Sequence, residues 1–159
     1  RGEVNSAQNI IRSASFDADS LNILQLEAAW ASRQWRLQAE AAVARIEQVD
    51  GTQWQYSGFY LQGSVLLSGE HYRYKQGKFK GVKPYSSRGS WELVARFSGL
   101  DLRDHKVGSE SSILLLGINY YASKQFKLMA NLLMPSISGN VVNTDQSGNA
   151  LSIRGQYHF

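Results

Sequence analysis

The sequence predicts an all-β chain, an antiparallel sheet of seven or eight strands forming part of a transmembrane β-barrel. Three observations lead there. Segments alternate apolar and polar residues with period two, connections alternate between short and long, and aromatic residues gather at strand ends of one parity, with Phe159 last. Composition leaves this fold open and closes others. Of 159 residues 43% are hydrophobic, yet mean hydropathy is −0.34. No stretch approaches the roughly 18 to 20 apolar residues of a membrane helix. A barrel strand gives lipid only every second residue, so a moderate average is what such a strand should show. Cysteine is absent, which removes disulfides, thiolate metal sites and cysteine nucleophiles.

The strands follow in order. Residues 21–31 place Leu24, Leu26, Ala28 and Trp30 opposite Gln25, Glu27 and Ala29. Residues 35–45 place Trp35, Leu37, Ala39, Ala41 and Val43 opposite Arg36, Gln38 and Glu40. The run "LQAEAAVARIEQ" is rich in helix formers, but its apolar positions fit period two better than 3.6. Asp50-Gly51, a strong hairpin dipeptide, leads into 53–67, where Phe59, Leu61, Gly63 and Val65 oppose Tyr60, Gln62 and Ser64. Strands at 91–102, 112–121, 126–134 and 150–159 repeat the pattern, the last setting Leu151, Ile153, Gly155, Tyr157 and Phe159 against Ser152, Arg154, Gln156 and His158. Residues 1–20 are poorly patterned and leave room for the end of an eighth strand. The chain opens on Arg1 with neither an initiator methionine nor an apolar signal segment, so either upstream sequence has been removed or this is a piece of something longer.

Period two is shared with soluble sandwiches and lipocalin-like barrels, whose apolar faces turn inward. The terminal aromatics separate the cases, since outer-membrane barrels commonly close on aromatics at the last and third-last positions. With the C-terminus taken as periplasmic, Ser32–Gln34 and Ala122–Gln125 become short periplasmic turns, and Asp101–Ser111 and Ser136–Asn149 become external loops. Trp30, Trp35, Trp91, Tyr120, Phe126, Tyr157 and Phe159 then form a girdle at the periplasmic interface, with Trp54 and Tyr56 marking the other. On the polar face Arg36, Arg96, Lys127, Arg154 and His158 line a watery lumen beside Glu27, Glu40 and Glu92.

One connection breaks the pattern. "EHYRYKQGKFKGVKPYSSR", residues 70–88, carries Arg73, Lys75, Lys78, Lys80, Lys83 and Arg88 against the single acid Glu70. Those six cations exceed the chain's formal charge of +4, so the remainder is slightly acidic. The segment is far too long for a periplasmic turn. It is expected to fold into the lumen, with Tyr72, Tyr74, Phe79 and Tyr85 as candidate anchors, where basic charge attracts anions and repels cations. A solvated loop that steers the protein toward anionic lipid is the competing reading.

The stretches "DADSLNILQLEAAW", "YSGFYLQGSVLLSGE", "GKFKGVKPY", "GSWELVARFSGLDL", "LGINYYASKQFKLMANLLMP" and "LSIRGQYHF" are collinear over about residues 17–159 and resemble the phosphate-selective porin O and P family. The resemblance implies a roughly 16-stranded outer-membrane porin, assembled as a homotrimer and passing phosphate, polyphosphate or other anions passively. Residues 1–159 are then the C-terminal part of a single barrel domain in the bacterial cell outer membrane, C-terminus periplasmic, with the remaining strands upstream. Arg73–Arg88, including the "VKP" of Val82–Pro84, matches the family's lumenal turn. The family's arginine ladder and central phosphate site draw mainly on upstream sequence absent here. The lumen candidates are therefore Arg73, Lys75, Lys78, Lys80, Lys83, Arg88, Arg36, Arg96, Lys127 and Arg154. The implied partners are membrane lipid and inorganic anions such as phosphate; no nucleic acid, metal or cofactor is implied. The alternatives are a general or differently selective porin and a soluble β-rich module binding anions or glycans. Enzymatic chemistry has little support: Ser152 and His158 share a face but lie roughly 20 Å apart along the strand, and His71 and His105 have no matching partners.

Overall fold

The computed structural model describes residues 17–139 and 146–158. The expected eighth strand within 1–20, the closing Phe159 and the middle of the Ser136–Asn149 loop fall largely or wholly outside these residues. Among the described residues there are ten strands: β1 (Ala18–Ser32), β2 (Trp35–Gln48), β3 (Gln53–Leu66), β4 (Tyr74–Lys75), β5 (Lys78–Phe79), β6 (Ser90–Asp101), β7 (Ser109–Tyr121), β8 (Phe126–Gly139), β9 (Gln146–Ser147) and β10 (Ala150–Tyr157). Seven long strands form one antiparallel sheet ordered β1-β2-β3-β6-β7-β8-β10, with β9 beside β8 and β4-β5 a separate hairpin. The helix-forming run in residues 37–48 lies wholly in β2, because thirteen register pairs to β3 and a full ladder to β1 outweigh propensities of a few tenths of a kcal/mol per residue.

Several strands extend beyond their amphipathic cores. β8 continues to Gly139 although its alternation lapses at Pro135, since backbone pairing to β7 persists through Ile113↔Pro135 and Ser109↔Gly139. Proline cannot donate to a ladder and is tolerated where pairing lapses. Pro135 lies between the last β8–β10 pair, Leu133↔Ala150, and the β8–β9 pair Ser136↔Ser147, where the second ladder is interrupted.

Burial on this sheet is inverted relative to a water-soluble protein. One face shows Leu24, Leu26, Trp30, Trp35, Phe59, Leu61, Leu116, Leu132, Leu151 and Ile153 exposed, several above 60%. The other buries Ser64, Ser90, Glu92 and Asn119 at 6% or less. An exposed apolar face of this extent is untenable in water and suited to hydrocarbon. Within it the aromatics are spaced as packed pairs. Trp91 and Tyr120 face each other in register with ring centroids 4.7 Å apart. Phe59 lies over Gly99, opposite it in register, and 5.8 Å from Phe97.

Trp30, Trp35, Trp91, Tyr120, Phe126 and Tyr157 all sit at one rim, the rim that carries the 33–34, 67–89 and 122–125 links and the end of β10. Trp54 and Tyr56 correct the expected second girdle. They occupy the parity of Tyr60, Gln62 and Ser64, and they are 9% and 8% exposed on the inner face, where Trp54 meets His105 edge-on at 5.1 Å. Their alternation already assigned them inward; position near a strand end was the misleading cue.

The rims are closed by local hydrogen bonds. At Val49–Thr52 the Asp50 carboxylate accepts the Thr52 N–H at 2.9 Å, which holds the Asp50 carboxyl below the usual range, and Gly51 adopts φ +83°. At 122–125 the Ser123 hydroxyl accepts the N–H groups of Gln125 and Phe126 at 3.1 and 3.0 Å. Gly89, which ends the long link, has φ +75°, and a Cβ there would lie 2.6 Å from the Tyr121 carbonyl oxygen. Gly89→Ala is expected to cost about 2 kcal/mol or more. In the hairpin turn Gly77 (φ +72°) has open space around its Cβ direction, so Gly77→Asn should be nearly neutral. The temperature at which the folded band is lost on gels of the full-length protein would measure both.

Candidate lumenal site

The link 67–89 starts at the girdle rim and turns over the polar face of the sheet. The turn begins with three side chains. Leu66, Tyr72 and Val82 bury one another, with Ala31 and Tyr121 packed alongside. The Tyr72 N–H donates to the Arg33 carbonyl at 2.8 Å, tying the loop to the short link beside it. Glu70, 2% exposed, accepts the Ser90 hydroxyl and the Tyr85 N–H and so holds the two stems of the loop together. Beyond the stem, β4 and β5 form a hairpin around Gln76 and Gly77, both at positive φ, extended by the Lys80 N–H to the Arg73 carbonyl at 2.8 Å.

Tyr72 and Phe79 contact the wall. The Tyr72 hydroxyl donates to Glu92 at 2.6 Å and lies 2.8 Å from the Ser64 hydroxyl, and the Arg36 guanidinium carbon sits 4.7 Å from the Tyr72 ring and 5.2 Å from the Phe79 ring. Tyr74 and Tyr85 are less engaged. Tyr74 stacks edge-on upon Phe79 at 4.8 Å but is 53% exposed, and Tyr85, 70% exposed, contributes its backbone N–H. Between hairpin and wall lies a cleft of about 580 Å³ bordered by Glu27, Arg36, Gln38, Tyr60, Lys78 and Phe79.

Arg73, Lys75, Lys78, Lys80, Lys83 and Arg88 are all exposed. Among the described residues none of them makes an ion pair. Lys75 and Lys78 lie directly opposite one another across the hairpin, an arrangement of like charges that an anion would relieve. The wall cations differ from these. Arg36 pairs with Glu92 at 3.0 Å, Arg96 lies 4.0 Å from the Tyr60 ring, Lys127 lies 4.8 Å from the Tyr121 ring, and Arg154 is exposed on β10. Arg36 and Lys78 are thus brought to one cleft, Lys127 lies over the Tyr121 ring beside Glu92, and Arg96 and Arg154 stand farther along the wall on β6 and β10.

Glu92 organises this region more than its place in the sequence suggests. It is fully buried. One carboxylate oxygen accepts from Arg36 and Tyr72, and the other from Asn119 at 2.7 Å and Tyr121 at 2.6 Å. A buried carboxylate with that many donors is compensated where an unpaired one would cost several kcal/mol. Its partners come from positions 36, 72, 119 and 121, so only strand register reveals the cluster. A pair of carboxylates lies nearer the β1 edge. Glu27 and Glu40 oppose each other in register, and the Gln25 amide donates to both at 2.9 Å.

Burial first, and then the bond to Glu92, push the Tyr72 hydroxyl above its ordinary value. A raised value favours the neutral phenol, so its contribution to loop closure is complete below about pH 10 and is lost as pH climbs through the higher folded value.

Comparison with protein-family models matches residues 3–159 to the model described as phosphate-selective porin O and P. No curated protein matches the chain.

Proposed function

Because the chain belongs to the phosphate-selective porin O and P family, whose members are outer-membrane channels and not enzymes, we propose that it lines an anion-conducting pore whose filter is the basic link 67–89. The observation that carries this reading is the group of six exposed cations, without ion pairs among the described residues, on a segment anchored to the polar face of the sheet. In a water-filled passage narrowed by protein, such charge raises the local anion concentration and excludes cations. Lysines serve as mobile point charges that hold an oxyanion loosely enough to release it, whereas Arg73 and Arg88 offer bidentate contacts. Phosphate and polyphosphate are the substrates this chemistry suits.

The same reading sets the girdle rim, and with it the C-terminus, at the periplasmic interface and the 102–108 connection outside. Among the described residues β1 and β10 are the two edges of the sheet, and an open edge is not tolerated in hydrocarbon, so further strands complete the barrel, which assembles as a homotrimer. A second reading, a porin of mixed or different selectivity, is favoured by the Glu27–Glu40 pair on the wall near the cleft.

Reversal potentials measured for the full-length protein in planar bilayers under a salt gradient separate the two. Anion preference, with phosphate competing against chloride, is the expected result. Preference for potassium over chloride and phosphate would overturn the anion-pore reading.

A further inference from the structure

The ends of the basic link are bonded to the rim at Ser68, Glu70, the Tyr72 N–H and the Arg88 carbonyl. Between those ends it touches the wall through the Leu66–Tyr72–Val82 cluster, through the ring contacts of Phe79 and through the Tyr72 hydroxyl. Only the hydroxyl reaches a fully buried charge. Glu92 in turn is held from the wall side by Asn119 and Tyr121 on β7 and by Arg36 on β2. The carboxylate therefore has two kinds of donor. Three belong to the wall and remain wherever the loop goes, and one belongs to the loop and leaves with it.

We propose that the Tyr72–Glu92 hydrogen bond is a latch, with Glu92 the positioning residue that sets the basic link across the lumen and so fixes the width and selectivity of the pore. The proposal rests on the lumenal reading of the link given above. When the latch is closed, Phe79 lies over Arg36 and Lys78 borders the cleft. When it opens, Glu92 keeps Arg36, Asn119 and Tyr121, so no buried charge is abandoned. The Tyr72 phenol returns to water, and the hairpin with its lysines swings from the wall. Because the buried carboxylate keeps three donors in either position, the link can leave the wall without unfolding the sheet.

Tyr72→Phe removes the latch oxygen and keeps the ring that packs on Leu66 and Val82. Hydrogen bonds to charged acceptors shift such an equilibrium by roughly 10- to 100-fold. Single-channel records of the full-length protein should show brief high-conductance, less anion-selective excursions, more frequent by about that factor than in the unsubstituted channel. Ser64→Ala, which removes the hydroxyl 2.8 Å from the same phenol, should move the frequency in the same direction by less. It keeps the test readable if Tyr72→Phe fails to fold. Tyr121→Phe removes the other phenol hydroxyl from the same carboxylate and keeps the ring that packs beside Tyr72 and Val82, so it should lower the heat stability of the barrel without adding excursions.

Excursion rates unchanged in both Tyr72→Phe and Ser64→Ala would overturn the latch. So would equal excursions in Tyr72→Phe and Tyr121→Phe, because the buried network as a whole would then be responsible. A channel that lacks anion preference before any substitution would instead overturn the pore reading. The excursion comparison would still report on the latch in that case.

Discussion

If the basic link filters anions as proposed, replacing Lys78, Lys80 and Lys83 together with glutamate is expected to abolish or reverse that preference. The segment 70–88 holds six cations and one acid, a net charge of +5; the triple substitution removes six units and leaves it at −1. The effect is large because these lysines are exposed and meet no carboxylate among the described residues, so their charge is available to a passing ion. Arg36 offers a contrast, since its charge is already opposed by Glu92 at 3.0 Å. In a confined aqueous path the ratio of anion to cation permeability should fall by about 10-fold or more, and most steeply at low ionic strength, where the screening length is longest. Reversal potentials in dilute and concentrated salt would read both effects. A permeability ratio that barely moves would mean that the link faces open periplasm and takes no part in selection.

Placing arginine at Leu116 is the second substitution with a large expected effect, and its sign separates a membrane face from a water face. Leu116 lies in the middle of β7, 46% exposed, flanked in register by Ala95 and Leu132 on the same apolar surface. On a soluble protein a half-exposed leucine tolerates a charge with little change in stability. Against hydrocarbon the same change costs about 2–4 kcal/mol near the midplane. Urea unfolding of the full-length barrel in lipid vesicles should therefore show a marked loss for Leu116→Arg. Gln38→Arg, on the inner face, should stay within about 1 kcal/mol. Equal and small losses at both positions would remove the membrane assignment of the apolar face.

Much of this architecture was legible in the residues because a barrel wall is almost pure alternation. Trp35, Leu37, Ala41 and their partners fall on one side, Arg36, Gln38 and Glu40 on the other, and the structure keeps that division. The basic link announced itself by length and charge density, and its fold onto the polar face follows from the apolar residues Tyr72, Phe79 and Val82 placed among its lysines. What alternation does not encode is register. Glu92 read as one acid among several on the polar face, and only the pairing Leu66↔Glu92 and Glu92↔Asn119 puts it beside Tyr72 and Asn119. Trp54 and Tyr56 show the reverse error, in which nearness to a strand end suggested an interface and parity had already turned them inward. Strand ends were underestimated for a related reason: at residues 136–139 the backbone ladder continues after side-chain alternation has ceased.

Every neighbour in the main sheet is also the next long strand in the chain, and the longest connection between neighbours is the one from β3 to β6. Between β3 and β6 the closure spans residues 67–89, which costs roughly 1.5 kcal/mol more than a four-residue turn before any contact is gained. On this count β1-β2-β3 and β6 onward are expected to zip first and the seam between them to close last. The surroundings of the Tyr72 hydroxyl are complete only when β3, β6 and β7 lie side by side, because Ser64, its acceptor Glu92 and the further Glu92 donor Tyr121 come from those three strands. Docking of the link is in this way a report that the seam has closed in register, and a chain mispaired by two residues at β3–β6 would leave its basic segment undocked and open to proteases.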